Sequence, residues 1–89
     1  MQEVFTMDKN YWENPVALRL PHLGLRTVEN TYDAAAYLME EWPVDHGEAY
    51  DRAIRMCLLS IRGKKQPATA RRAFIDAANE AHIHINVAA

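Results

Sequence analysis

Trp42-Pro43-Val44-Asp45-His46-Gly47-Glu48-Ala49-Tyr50-Asp51-Arg52-Ala53-Ile54-Arg55-Met56-Cys57-Leu58-Leu59-Ser60-Ile61-Arg62-Gly63 is the stretch whose reading decides the fold. It reads as a chain break, a helix from Glu48 to Arg62 of about four turns, and a glycine stop. Tyr50, Ala53, Ile54, Cys57, Leu58 and Ile61 recur at i, i+3, i+4, i+7, i+8 and i+11, one continuous helical face. Met56 and Leu59 widen that face, so the second half of the helix is apolar around most of its circumference and needs neighbours on more than one side. Glu48 with Arg52, and Asp51 with Arg55, are spaced as i, i+4 ion pairs. Gly63 suits the left-handed position that ends a helix.

Working toward the N-terminus, Pro43 closes a preceding helix, because the residue before a proline is pushed out of the helical region. That helix starts at Asn30 or Thr31, either of which can cap it, with Asp33 in the first turn. Ala34, Ala35, Leu38 and Trp42 form its inward face. Before it, Val16, Leu18 and Leu20 alternate with Ala17 and Arg19, and Leu25 and Thr27 alternate with Arg26 and Val28. Pro21-His22-Leu23-Gly24 between them is turn chemistry, so the two runs predict a β-hairpin. Such a pair is marginal alone and must lie on the helices. Residues 1–11 show no period and are expected to form a loose N-terminal segment, with Trp12 as its anchor. Toward the C-terminus, Lys64-Lys65-Gln66 is a polar turn and Pro67 opens a third helix running to about Ala81. Ala70, Ala73, Phe74, Ala77, Ala78 and Ala81 face inward there, with Phe74 the single large plug. Ile83 to Val87 alternates like a short strand, either added to the hairpin's edge or left as a tail. The expectation is an α+β fold in the order ββαααβ: an N-terminal β-hairpin packed on three α-helices, with a possible short C-terminal strand.

The same residues carry a family likeness. Trp12-x-x-Pro15-Val16, Trp42-Pro43-x-x-x-Gly47-x-x-Tyr50-x-x-Ala53-x-x-x-Cys57, Gly63, and Ala70-Arg71-x-Ala73-Phe74 with Glu80-Ala81 resemble a small bacterial family, domain of unknown function 982, found largely in rhizobia and related soil bacteria. The likeness runs from about Trp12 to Ile83. It implies a compact domain with no assigned activity, so it brings no catalytic residues. The family pattern tends to carry glycine after Glu-Ala near the C-terminus, where this chain has His82. If that position ends the helix in the left-handed region, His82 must take a positive φ.

Length and composition set the remaining bounds. Eighty-nine residues make one domain, residues 1–89, that buries roughly 60–65% of the surface exposed by its unfolded chain. Apolar residues are 49% and charged residues 25%, a soluble globular profile. No apolar run approaches the roughly 18 residues of a membrane span, and Met1-Gln2-Glu3 does not open like a secretory signal. One cysteine cannot form an internal disulfide. The expectation is a cytoplasmic protein without membrane contact. The net charge of −2 hides a division: residues 1–51 hold ten acidic and three basic side chains, whereas residues 52–72 hold seven basic and none acidic.

No catalytic constellation stands out. Cys57 lies within the apolar stripe and reads as a small core residue rather than a nucleophile. His82 and His84, and His46 beside Asp45 and Glu48, have ligand types without a completed set, so no metal and no cofactor is expected. Trp42 and Tyr50 read as the packed corner between two helices, with a ligand-stacking pair as the alternative. The basic block from Arg52 to Arg72 gathers Arg62, Lys64, Lys65, Arg71 and Arg72 around one turn, the candidate partner-binding residues. Arg71 and Arg72 lie near the start of the third helix, where its dipole disfavours cations. The block reads first as a solvated face, since Arg62 and the lysines sit at a helix C-terminus whose dipole welcomes cations and the acidic half can neutralise Arg52 and Arg55. As a binding surface, with a sequence pI near 6.0 and no aromatics among the basic residues, it suits a protein partner or a second copy better than nucleic acid. The sequence therefore reads as a non-enzymatic protein-interaction or self-associating module. The alternatives are a nucleic-acid-associated accessory protein using Arg52 to Arg72, or a small ligand-binding domain.

Overall fold

The computed structural model describes residues 10–87. Its elements follow the expected order: β1 (Tyr11–Leu20), β2 (Gly24–Asn30), α1 (Thr31–Glu40), α2 (Glu48–Ile61), α3 (Pro67–Glu80) and β3 (Ile85–Val87). The fold is α+β. The sheet order is β2-β1-β3 with both pairings antiparallel, so β1 is central. Trp12, Val16, Leu18, Leu20 and Val28 are all buried and form the sheet's contribution to the core beneath the helices.

β1 starts earlier than the alternation predicts. Asn10 and Tyr11, assigned by sequence to the loose segment, are part of the fold: Asn10 is buried and Tyr11 opens the strand. Residues 1–9 of that segment lie outside the described residues. The cause of the misreading is Pro15, which cannot donate to a ladder and sits at an irregularity. Tyr11 pairs with Asn30 and Val16 with Val28, so residues 12–15 stand opposite Glu29 alone. The C-terminal run does form a strand. Ile85 pairs with Leu18 and Val87 with Val16, and the strand starts after Ile83 because His82 and Ile83 are used to end α3.

The helix termini follow local chemistry. Asn30 caps α1, its side-chain oxygen accepting from the Asp33 amide at 2.8 Å. α1 stops at Glu40, ahead of Pro43, and leaves Trp42 in the connection. α2 and α3 end in the same motif. In α2 the Lys64 amide donates to the Leu59 carbonyl at 2.8 Å and the Gly63 amide to Ser60 at 3.0 Å. In α3 the Ile83 amide donates to Ala78 at 2.9 Å and the His82 amide to Asn79 at 3.1 Å. The left-handed residue is Gly63, at φ +79°, in the first and His82, at φ +58°, in the second. His82 thus takes the positive φ that its place after Glu80-Ala81 demands.

α2 is turned part of the way round from the centre of its apolar stripe: Tyr50, Ile54, Leu59 and Ile61 pack against the core from its margin, and Leu58 is left off it. Ala53, Met56, Cys57 and Ser60 are buried, whereas Ile54, Leu58 and Ile61 are half-buried. The rotation is possible because the Ser60 hydroxyl donates to the Asn10 side-chain oxygen at 2.6 Å, so a polar group enters the core satisfied. Asn10 joins a second buried link: Trp12 Nε1 donates to Thr31 Oγ1 at 3.1 Å, and the Thr31 amide donates to the Asn10 carbonyl at 3.0 Å. Neither expected ion pair on α2 closes; among the described residues the i, i+4 pair that forms is Arg72 with Asp76 at 3.3 Å.

The start of α2 is capped from a distance. Gly47 is its N-cap and supplies no side chain. The Ala49 and Tyr50 amides instead donate to the two Glu80 carboxylate oxygens, each at 3.0 Å. Gly47 adopts φ 123° and ψ 149°, a region open essentially to glycine alone, and a Cβ there would strike the Glu80 carboxylate. At the core's centre Phe74 is fully buried, with Trp12 and Trp42 tilted against it at centroid distances of 5.7 and 5.3 Å. Among the described residues no helix is long and apolar enough to cross a membrane.

In urea denaturation, Phe74→Ala is expected to cost about 3–5 kcal/mol. Gly47→Ala is expected to cost about 1–3 kcal/mol through backbone strain, and Glu80→Ala about 0.5–2 kcal/mol through the lost cap. The Gly47→Ala, Glu80→Ala double variant should lose less than the two single losses combined, because the carboxylate that meets the new methyl is gone. Strict additivity would contradict the contact.

Candidate functional site

The residues most suggestive of chemistry are structural. Cys57 is fully buried, and burial raises its thiol pKa from 9.0 to about 12. A thiol held neutral in an apolar core is no nucleophile. Tyr50 donates its hydroxyl to the Leu38 carbonyl at 3.0 Å, satisfying an acceptor in the last turn of α1. Trp42 packs tilted against Phe74, and its buried Nε1 has no acceptor among the described residues. Each ring of the Trp42–Tyr50 corner is half-buried, and each has a packing or hydrogen-bonding role within the chain. His46 pairs with Asp45 at 3.3 Å on the open surface. No group of three or more His, Cys, Asp or Glu side chains among the described residues is arranged to hold a metal ion.

The basic block divides in two. Arg71 Nε donates to the Asn14 carbonyl at 2.7 Å, so it fastens α3 to the irregular stretch of β1. Arg72 is held by Asp76 on its own helix. Both cations near the start of α3 are therefore offset by contacts within the chain. Arg62, Lys64 and Lys65 are exposed, and among the described residues none of their side chains makes a hydrogen bond or ion pair. The Gly63 turn throws all three onto the α2–α3 end of the molecule.

That end carries a cleft of about 420 Å³ lined by Asn10, Ser60, Ile61, Gly63, Lys65, Gln66 and Pro67. The bonded Ser60–Asn10 pair supplies buried polar groups, Ile61 and Pro67 supply apolar wall, and Lys65 brings a cation to it. Gln66 caps α3 without a side-chain hydrogen bond, and the first turn of α3 holds no acidic residue. A carboxylate entering here meets a positive helix end and an unpaired lysine. Sequence reasoning placed Lys65 at this end and missed Asn10 and Ser60. A signal existed: Ala53, Met56, Cys57 and Ser60 have the same i, i+3, i+4, i+7 spacing as the apolar stripe, but the last member is polar.

A family model described as "Protein of unknown function (DUF982)" matches residues 14–85. No curated protein matches the chain. The NMR structure of the Agrobacterium tumefaciens protein Atu1219 is similar, with 34% sequence identity and a TM-score of 0.73, covering 91% of this chain and 83% of that one.

The Cys57 environment gives a pH signature. Below pH 9 the thiol is neutral folded and unfolded, so pH has no leverage through it. Between 9 and about 12 the unfolded chain releases the proton while the folded chain retains it. Stability is then expected to fall with rising pH by up to about 1.4 kcal/mol per unit. Urea titrations from pH 8 to 10.5 check this, and Cys57→Ala should lack that component. A thiol reagent should label Cys57 only on unfolding.

Proposed function

This chain belongs to the DUF982 family of proteins of unknown function, and we propose that it is a non-enzymatic protein-interaction module whose basic end takes an acidic segment of a partner. The observation that carries this reading is the set of exposed cations Arg62, Lys64 and Lys65, unpaired among the described residues, beside the cleft of about 420 Å³. A carboxylate-rich segment is complementary to that end in charge, and the cleft has room for a side chain. Nucleic acid is the weaker fit. Two of the five candidate cations, Arg71 and Arg72, are engaged by contacts within the chain, and among the described residues no aromatic side chain lines the cleft for a base to stack on. The single buried thiol suits a reducing compartment, so the reading places the module in the cytoplasm.

NMR titration of labelled protein with a poly-glutamate peptide at low salt tests the proposal. Amide shifts are expected at Arg62 to Pro67 neighbours and at Ser60. Lys64→Ala with Lys65→Ala should weaken binding by about tenfold, with each solvated contact contributing a fraction of a kcal/mol to one. No shifts, or shifts indifferent to the double variant, overturn it. Tighter binding of a mixed-sequence oligonucleotide at the same residues overturns it in favour of the nucleic-acid reading.

A further inference from the structure

The two edges of the sheet differ. β3, on one side, is three residues long. β2, on the other, is seven, with neither proline nor lysine in it. Short strands, proline and lysine are the usual guards against pairing with another chain, so β2 is the unguarded edge. The Arg19 amide donates to the His84 carbonyl at 3.0 Å, toward β3. By the alternation of an antiparallel ladder, Val16 and Leu18 then turn their backbone groups toward β2, and their partners Val28 and Arg26 turn theirs toward β1. Leu25, Thr27 and Glu29 are left with amides and carbonyls aimed off the sheet. All three residues are exposed, and Leu25, at 58%, is the most exposed large apolar residue among those described. The Arg26 guanidinium donates to the Leu25 carbonyl at 2.8 Å. Nothing else among the described residues meets this row. Charge is divided along the edge. Arg26, and Arg19 beside Leu25 on β1, mark one end; Glu29, with Glu13 in the irregular stretch of β1 opposite it, marks the other. All four are exposed.

We infer that this edge pairs with β2 of a second copy of the chain, antiparallel, across a two-fold axis at Thr27, so that the two sheets become one. Thr27 then faces Thr27 of the second copy, and Leu25 faces Glu29. The residues whose backbone groups aim outward on one strand meet those on the other, and each amide finds a carbonyl. Facing residues share one side of an antiparallel sheet, so this register keeps the helices of both copies on the same side. Opposed threonines are a favourable cross-strand pair. The charges select a second copy and its direction. Glu29 arrives opposite Leu25, where Arg19 lies on the neighbouring strand and the Arg26 guanidinium already rests on the Leu25 carbonyl. Parallel pairing would set like charges together. The surface lies on a different element from the cleft and its cations, and it adds a self-contact to the module proposed above. One short strand a side makes a small interface, so the association is transient and concentration-dependent, and its charged ends make it salt-sensitive.

Sedimentation velocity and amide hydrogen exchange over a concentration series, at low and high salt, test this. The average mass should rise above the monomer with concentration and fall back with salt. The Leu25, Thr27 and Glu29 amides should gain protection as it rises, while those of Arg26 and Val28, bonded to β1, stay protected throughout. Thr27→Pro removes an amide that β1 does not use, at a place where an edge strand tolerates proline. It should raise the dissociation constant about tenfold or more, with the fold checked by circular dichroism. Arg26→Glu and Glu29→Arg should each weaken self-association. An equimolar mixture of the two variants should restore it, because the altered strands carry opposite charge, an outcome that unfolding cannot mimic. A monomer at every concentration, association that leaves the three edge amides unprotected, or a loss that mixing does not restore overturns the inference. Protection gained only on adding the poly-glutamate peptide makes the edge a site for a foreign strand and overturns it too. Lys64→Ala with Lys65→Ala should leave self-association intact while weakening peptide binding. Absence of peptide binding alone therefore strikes the basic-end reading, and absence of self-association alone strikes this one.

Discussion

The Glu80 carboxylate holds the start of α2, and the helical layer depends on that contact. A helix opened by glycine has no side chain for its first amides. Glu80 reaches them from the far end of α3, about thirty residues along the chain, and adds negative charge at the positive end of the α2 dipole. The contact sets the end of α3 against the start of α2. The tight Gly63 turn sets the other two ends together. With both ends of the α2–α3 pair constrained, Tyr50 comes to the Leu38 carbonyl in the last turn of α1, and Ser60 comes to Asn10. The residues that carry the family likeness thus have physical work: Gly47 and Glu80 meet, Tyr50 ties α1, Cys57 and Phe74 fill the core, and Gly63 reverses the chain.

The same constraint explains why Leu58 of α2 lies off the core. A helix positioned by its two ends and by one buried hydroxyl is not free to turn its most hydrophobic face inward. It settles with Ala53, Met56, Cys57 and Ser60 inside, and Leu58 is left at the surface. The cost of burying Ser60 is offset by its hydrogen bond to Asn10. The division of charge follows from the same geometry. Arg71 and Arg72, which the α3 dipole disfavours, are compensated by Asn14 and Asp76, while Arg62, Lys64 and Lys65 stay in solvent.

Element identity and order were legible in the sequence because local signals agreed: alternation for the hairpin, Asn30 at a helix start, Pro67 at another, and Gly63 at a stop. The positive φ at His82 was legible too, from its place after a helix. Phe74 as the plug followed from a helix whose other inward residues are alanines. Signals failed where a partner distant in sequence decides the outcome. Pro15 hid the first half of β1, because an irregular strand is recognisable only beside the strand it pairs with. The apolar period of α2 pointed some residues away from its true centre, since period records composition and not the neighbours that select a face. Of the candidate site, the exposed turn of Arg62, Lys64 and Lys65 was legible, and the cleft beside it was not.

What the sequence alone determined is the set of elements, their order, their caps and the separation of charge along the chain, all consequences of interactions within a few residues. What only the tertiary structure decided is which side of α2 is buried, which cations are used internally, and how Asn10, Thr31 and Ser60 meet in one buried network. Those outcomes depend on groups twenty to fifty residues apart in the chain competing for the same space and the same hydrogen bonds. No local pattern records that competition, and the folded chain is what resolves it.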